Sequence, residues 1–365
     1  MKKVRIGVIG CGNISSIYLE NCPKASNMEV VACADLLLER AKAQAEKFSI
    51  PRACAVDELL ADESIQIIVN LTIPNVHAEV NCQILEAGKH AYVEKPLAAT
   101  TEKARNVLEF AKSKDLLVGG APDTFMGAGF QTCRKVIDDG WIGKPIAATA
   151  FMMCHGHEHW HPDPAFYYQT GGGPMFDMGP YYLTALIHLL GPVKKVSGMT
   201  QMSFPERTIS SEPKFGQTVT VEVPTHINGM MEFETGATVN IITSFDVWSH
   251  DMPFIEIYGT EGTLRCPDPN TFGGDPMLKR GREEEWSVMP LSHGFAENSR
   301  GIGIANMANA VRNGGSFRAQ GALAFHVLDI MQSLHASADN GEHLQLDSQC
   351  EQPEPMPMNM NWTTW

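Results

Sequence analysis

Residues 3–22, KVRIGVIGCGNISSIYLENC, constrain this chain more than any other stretch. The unbroken apolar run reads as a strand buried on both faces, the glycines as a tight turn, and the remainder as a helix. Gly10, Gly12 and Ser15 take the three small positions of G-x-G-x-x-G/A. The first permits the turn, the second lets a pyrophosphate approach the backbone, and the third lets helix and strand pack closely. Asn13 and Ile14 complete the turn, and the helix start offers free amides and the positive end of a dipole. Small residues at a turn also serve packing alone, so the motif needs its context.

That context follows directly. A second apolar strand, EVVACAD, ends in Asp35, about 20 residues beyond the turn, where an acid can accept both ribose hydroxyls of NAD. Asp35 can equally cap the helix LLLERAKAQAEKF, and the two roles are compatible. Leu36 follows and no basic residue appears before Arg40, which favours NAD over NADP. Strand IQIIVNLT, helix VHAEVNCQILEAG, strand HAYVEK, helix TEKARNVLEFAKSK and strand LLVGG continue the alternation. Such alternation builds a doubly wound parallel sheet of the Rossmann kind, with ligands beyond the carboxyl ends of its strands. Thr72, Asn75, His77, Glu94, Lys95 and Asp123 all lie at those ends and are candidates to line one crevice. His77 can also be a capping or packing histidine.

A chain of 365 residues exceeds what one core usually organises. We expect an NAD-binding domain over 1–122 and a second α/β domain over 123–365. The second half holds β-like runs, among them KPIAATAFMM, QTVTVEV, HINGMMEFET, ATVNIITSF, FIEIYG and GTLRC. Turn sequences such as NG and ETG between runs suggest antiparallel neighbours. The net charge of −14 argues against nucleic acid or an anionic membrane as partner. Nine cysteines without a CxxC pair suit reduced thiols, and no apolar stretch is long enough to span a bilayer. A cytoplasmic protein is expected. The tail QPEPMPMNMNWTTW has no period and is expected to wrap the surface or reach a neighbouring subunit.

HAYVEKP, LTIPNVH and GGGPMFDMG, in the chain behind the glycine turn, resemble the Gfo/Idh/MocA oxidoreductase family. The resemblance extends through EIYGTEGTLRCPDPNTFGG and RAQGALAFHVLDIMQSL. It implies an N-terminal NAD(P) domain and a C-terminal domain on an open-faced mixed, largely antiparallel sheet, through which copies commonly associate into homo-oligomers. It also implies a sugar, polyol or glycoside substrate, oxidised at a carbon-bound hydroxyl.

Loss of a hydride from a carbinol carbon requires a group to accept the hydroxyl proton. On the resemblance, Lys95 places its ammonium by the reacting hydroxyl; the bland alternative is a surface lysine. Asp177, Tyr181, Thr184 and His188 share one helix face by their spacing. Many relatives carry histidine where Tyr181 stands and a second acid where Thr184 stands, so this chain resembles the tyrosine branch. A phenol is a poor base at neutral pH, and a charged Lys95 is expected to lower its pKa. Asp177 would anchor a substrate hydroxyl or hold Lys95; a helix cap and a hydrogen-bonded buried tyrosine are the structural alternatives.

CHGHEHWHPDPAFYYQ sets His155, His157, His159 and His161 at alternate positions. On a strand these would face one side, and HxH pairs can bind zinc. Gly156 and HPDP suggest instead an irregular polar loop with no metal, in which Trp160 and His161 meet the substrate. His161 is also the next base to consider after Tyr181. The leading expectation is oxidation of a hexose or glycoside at a secondary hydroxyl, C3 above the others. A glycosidase acting by transient oxidation and elimination, or a non-catalytic dinucleotide sensor, would use the same fold.

Overall fold

The computed structural model describes residues 3–365. Its first half alternates β1 (Val4–Ile9), α1 (Ser15–Asn21), β2 (Met28–Ala34), α2 (Leu38–Phe48), β3 (Ala53–Cys54), α3 (Val56–Leu60) and β4 (Ile67–Asn70). α4 (His77–Glu86), β5 (His90–Val93), α5 (Thr101–Ser113) and β6 (Val118–Gly120) complete it. The strands form one sheet in the order β3-β2-β1-β4-β5-β6, every pair parallel. β1, β4 and β5 are apolar and buried almost throughout, as a sheet covered on both faces requires. The order reverses between β1 and β4, which places the ligand crevice beside the glycine turn.

The second half opens with α6 (Ala128–Asp138), β7 (Pro145–Met153), α7 (Pro174–Leu190), β8 (Val193–Gln201), β9 (Glu206–Thr208) and β10 (Thr218–Thr220). β11 (His226–Phe233), β12 (Thr238–Ser244), β13 (Ile255–Gly259), β14 (Gly262–Cys266), β15 (Met277–Arg280) and β16 (Ser287–Val288) follow. α8 (Ile302–Asn313), α9 (Gly321–Asn340) and β17 (Leu344–Gln345) close the order. Nine strands make a mixed sheet, β16-β15-β14-β13-β7-β12-β11-β8-β17, in which only β7 and β12 run parallel. Inward residues such as Ala148, Ala150, Ile227, Met231, Val239, Ile241, Ile255 and Ile257 are buried, on the face that α7 and α9 cover.

Two expectations change here, and one strand was not named from the sequence. QTVTVEV contributes β10, which pairs only with β9 in a separate ribbon. Asn228-Gly229 is no turn: it lies inside β11, where a side chain on Gly229 would meet Ile241 and Leu334 at 2.8 and 2.9 Å. The actual β11–β12 turn is the ETG sequence, with Gly236 at φ 86°. β8, VKKVSGMTQ, sits in the body of the sheet between β11 and β17, although its lysines obscure the alternation.

α9 joins the halves: Gln332 accepts from the Thr101 amide and donates to the Ala99 carbonyl. The tail stays on its own chain. Arg318 donates to the carbonyls of Glu354 and Pro355, Met356 N to Gln131 Oε1, and Ser26 N to the Trp362 carbonyl. All nine cysteines are free, and among the described residues no helix is long and apolar enough to cross a membrane.

The helix–sheet contact leaves no slack at Gly198, where a Cβ would run into the Leu334 carbonyl of α9. Gly198→Ala is expected to cost about 1–3 kcal/mol, read as a lower midpoint in denaturant unfolding. An unchanged midpoint would mean that α9 sits further from β8 than described.

Candidate active site

Gly10 has φ 98°, and a Cβ there would come within 2.6 Å of the Leu71 carbonyl. Gly12 differs: a Cβ there would meet no protein atom within 4 Å. Nothing in the protein demands glycine at that position, so the space in front of it fits a ligand that approaches the backbone closely. Ser15 is buried and donates from Oγ to the Gly12 carbonyl at 2.6 Å, while Asn13 and Ile14 stand exposed at the mouth. Asp35 accepts from the Cys11 amide at 2.8 Å and from the Leu37 amide at 2.9 Å. It therefore fixes the glycine turn and the approach to α2 together, and its remaining lone pairs stand where a ribose would be bound. These residues fit a dinucleotide.

The other strand ends divide. Thr72 donates from Oγ1 to Asn70 Oδ1 at 2.6 Å, and exposed Asn75 faces Gly171 from across the crevice. His77 is fully buried, with Nδ1 2.7 Å from the Pro96 carbonyl and Nε2 3.0 Å from that of Thr72. It braces the turn after β4 against the turn carrying Lys95 and does not line the crevice. Asp123 is buried as well: Oδ2 accepts from the amides of Gly301 and Gly303 and caps α8. Burial pushes its carboxyl up to about 6 against the pull of those amides. Glu94 accepts from the Tyr18 hydroxyl and from the Lys95 amide, both at 2.8 Å, so its carboxylate orients Lys95 through the backbone.

Lys95 crosses to the second half of the chain. Its Nζ donates to the Asp177 carbonyl at 2.7 Å and to Asp177 Oδ1 at 3.1 Å. The glycine run makes this possible. Gly171 and Gly173 have φ 92° and 91°, and a Cβ on Gly172 would lie 2.5 Å from the Phe166 carbonyl. The chain thus turns sharply into α7, with Asp177 in its first turn, where a carboxylate also favours the helix dipole. Burial works against the Asp177 charge, yet Lys95 and His157 hold its carboxyl down to about 2. Burial likewise opposes the Lys95 charge, and Asp177 overcomes it, raising the ammonium well above the usual lysine range.

Tyr181 lies beneath this pair. Lys95 Nζ sits 5.4 Å from the centre of its ring, over the face. The expected lowering of the phenol is overturned: burial raises it above the ordinary tyrosine value despite the opposing pull of Lys95 and of Arg300. At neutral pH Tyr181 is a protonated donor. Arg300, which no motif singles out, is held by Asn270 at 2.7 Å and Asn298 at 2.9 Å. His188 is buried against Gln131, as structural histidines are.

The histidine loop leaves β7 at Met153, so strand alternation ends before His155. His155 stacks on Trp248 at 3.3 Å between centroids and faces a groove of about 720 Å³ away from Asp177. His157 turns the other way: Nε2 is 3.3 Å from Asp177 Oδ2, and Tyr167, Phe245 and Trp160 surround the ring. Trp160 is half exposed, and His161 Nδ1 accepts from the Asp163 amide at 3.0 Å. Glu158 pins the loop through Arg207 at 2.9 Å, and Arg207 also binds Asp246. Among the described residues no three His, Cys, Asp or Glu side chains converge on a metal position.

Two domain profiles match this geometry. Residues 4–120 match the oxidoreductase family with NAD-binding Rossmann fold, and residues 130–265 match the GFO/IDH/MocA C-terminal domain. The chain belongs to the Gfo/Idh/MocA family. It is 27% identical over 266 residues to 1,5-anhydro-D-fructose reductase of Ensifer adhaerens, covering 71% of this chain and 74% of that one. It is 28% identical over 201 residues to an uncharacterised oxidoreductase of Schizosaccharomyces pombe, covering 52% of this chain and about half, 53%, of that relative. Levoglucosan dehydrogenase, solved with NADH and L-sorbose, superimposes with TM-score 0.80 at 20% identity over 95% of this chain and 99% of that one. Its first half thus carries the family's NAD-binding Rossmann fold, and the shared fold extends over nearly the whole chain.

The depressed Asp177 carboxyl makes its pairing pH-dependent. Stability from the pair is complete above the unfolded carboxyl value of about 4 and is lost as pH falls toward 2. Asp177→Asn is expected to lose about 2 kcal/mol at pH 7, with the gap to the parent closing at the acid end. Denaturant unfolding at several pH values reads this, and a gap that persists unchanged at pH 2 would sink it.

Proposed function

We propose that this Gfo/Idh/MocA protein is an NAD-dependent dehydrogenase that oxidises the C3 hydroxyl of a hexose or glycoside. The carrying observation is the Lys95–Asp177 pair, which fixes an ammonium at the carboxyl end of β5, in the crevice that the glycine turn opens onto. NAD supplies the hydride acceptor. An ammonium with two of its protons on Asp177 has a third to offer to the substrate oxygen, where it steadies negative charge as the proton leaves. Tyr181, a protonated phenol in the same crevice, adds a second donor.

The ring position rests on the surroundings. Trp160 offers an exposed aromatic face, suited to sugar C–H surfaces, and we take the polar loop from His157 to Pro164 to meet hydroxyls on either side of a central carbon. C3 is the central carbon of such a set. The named relative's substrate supports a site that does not need the anomeric hydroxyl, because a 1,5-anhydro sugar has none.

The test is a screen of free sugars, inositols and glycosides with NAD, followed by NMR of the product, with Lys95→Met beside the parent. A 3-keto product from a methyl or aryl glycoside is expected, and Lys95→Met should bind NAD while losing nearly all hydride transfer. A C1 lactone, or no reaction with any blocked anomeric centre, would overturn the C3 assignment. Cleaved glycoside with no net NADH would favour transient oxidation and elimination.

The uncovered face of the nine-stranded sheet is the surface through which we expect copies to associate. Met199 and Met230 project from it more than half exposed, beside each other on paired strands β8 and β11. Sedimentation should show a homo-oligomer that Met199→Glu with Met230→Glu dissociates; a parent that sediments as a monomer at micromolar concentration would refute it.

A further inference from the structure

In the oxidation proposed above, the hydroxyl must lose a proton as its carbon loses a hydride, and the groups expected to take it are poorly suited. Lys95 is a firmly charged ammonium, Asp177 holds its proton only near pH 2, and Tyr181 keeps its own above the usual phenol range. His161, the other candidate, already accepts from the Asp163 amide at Nδ1. One imidazole remains within the pair's reach. His157 Nε2 lies 3.3 Å from Asp177 Oδ2, on the carboxylate oxygen that Lys95 leaves free.

We propose that His157 is the general base, with Asp177 holding it and Lys95 on its two oxygens. Facing a carboxylate, Nε2 carries the ring proton, which leaves Nδ1 as the lone-pair nitrogen. Among the described residues no protein group hydrogen-bonds to Nδ1. In the step, the hydroxyl O–H bond breaks and its proton bonds to Nδ1, directly or through one water. The O–H electron pair becomes the second bond of the carbonyl, and the C–H pair departs with its hydrogen as hydride to the nicotinamide. His157 ends as imidazolium, its new charge facing Asp177, while Lys95 and Asp177 keep their charges throughout. This is the logic of a base oriented by a carboxylate, assembled from a loop after β7 and the first turn of α7.

The ring is well enough held for that role. Tyr167 at 4.2 Å and Phe245 at 4.7 Å between centroids pack its faces and edges. The Glu158–Arg207–Asp246 chain anchors the residue next to it. The titratable groups against it are Asp177 from α7, which carries Lys95 on its other oxygen, and Tyr167 from the turn at 165–167. Phe245 and Trp160 bring no charge.

The test uses His157→Gln and His157→Ala in the full chain, with NAD binding by calorimetry and thermal unfolding as controls for folding. The expected outcome is a kcat at neutral pH lower by about 100-fold or more, with NAD affinity unchanged. The parent should lose kcat tenfold per pH unit on the acid side of an imidazole titration, and that limb should vanish in His157→Gln. Added imidazole should restore part of the activity of His157→Ala. A His157→Gln enzyme within a few-fold of the parent, with the acid limb intact, overturns the proposal. A readout without turnover runs beside it: the His157 titration midpoint by NMR should fall in Asp177→Asn, because a carboxylate partner favours the charged ring. An unchanged midpoint refutes the pairing even if no tested sugar reduces NAD, an outcome that would count separately against the dehydrogenase reading.

Discussion

An ammonium withdrawn from water needs strong acceptors in its place, and one held by a carboxylate, Lys95 on Asp177, organises this molecule. Its partners come from different halves of the chain: Lys95 from the end of β5, Asp177 from the first turn of α7. Both side chains keep about a fifth of their surface exposed, so removing one member leaves the other uncompensated at less than the cost of a fully buried pair. The pair is therefore weak evidence for stability and strong evidence for position. The Lys95 end is set by two further contacts, Glu94 holding the Lys95 amide and His77 bracing the adjoining proline carbonyl, and the Asp177 end by His157. The Rossmann half thus delivers a charge to a fixed point, and the second half is built to receive it.

Receiving it depends on small residues and buried charge in the second half. The three glycines before α7 carry two left-handed backbone angles and one position with no room for a side chain. A bulkier run would displace Asp177 from the reach of Lys95. The histidine loop has little regular structure of its own, yet Arg207, buried between Glu158 and Asp246, ties it to the end of β12. Two carboxylates around one guanidinium leave a net negative charge inside the protein, relieved in part by the hydrogen bonds from Tyr168 and Thr225. Rigidity in this loop comes from side chains, because its backbone offers few ladders.

The parallel sheet was legible in the sequence because its strands are short, wholly apolar and separated by helices of clear period. The glycine turn and Asp35 were legible for the same local reason. What failed was non-local. NG reads as a turn by local chemistry, but at Gly229 the need was for a missing side chain beneath Leu334, a residue about a hundred positions away. Asp123 and His77 sit at strand ends, as crevice residues should, and only the packing of α8 and of the Lys95 turn shows that both face inward. His157 was visible only as one of four alternating histidines. The signal that distinguishes it is the kink at Gly156, φ 76°, which sends His155 to Trp248 and His157 to Asp177.

The raised phenol of Tyr181 gives that difference a chemical sense. A site that takes a proton from one oxygen and must later return it in the reverse reaction needs donors and an acceptor on separate groups. Three neighbouring groups cannot all change charge, since each change in a buried site is resisted by the others. Here burial keeps Tyr181 neutral, and Asp177 keeps Lys95 positive. Both then remain donors toward an oxygen that becomes a carbonyl in one direction and a hydroxyl in the other. Taking the proton and giving it back is the role left for the imidazole of His157, a ring with one nitrogen on Asp177 and the other free of any protein partner among the described residues. Its position on the far oxygen of the same carboxylate lets one anion support a permanent cation and a transient one. A histidine on α7 itself, in place of Tyr181, would put the proton acceptor beneath the lysine ring contact; the loop histidine moves it to the opposite side of Asp177 and leaves the helix position to a donor.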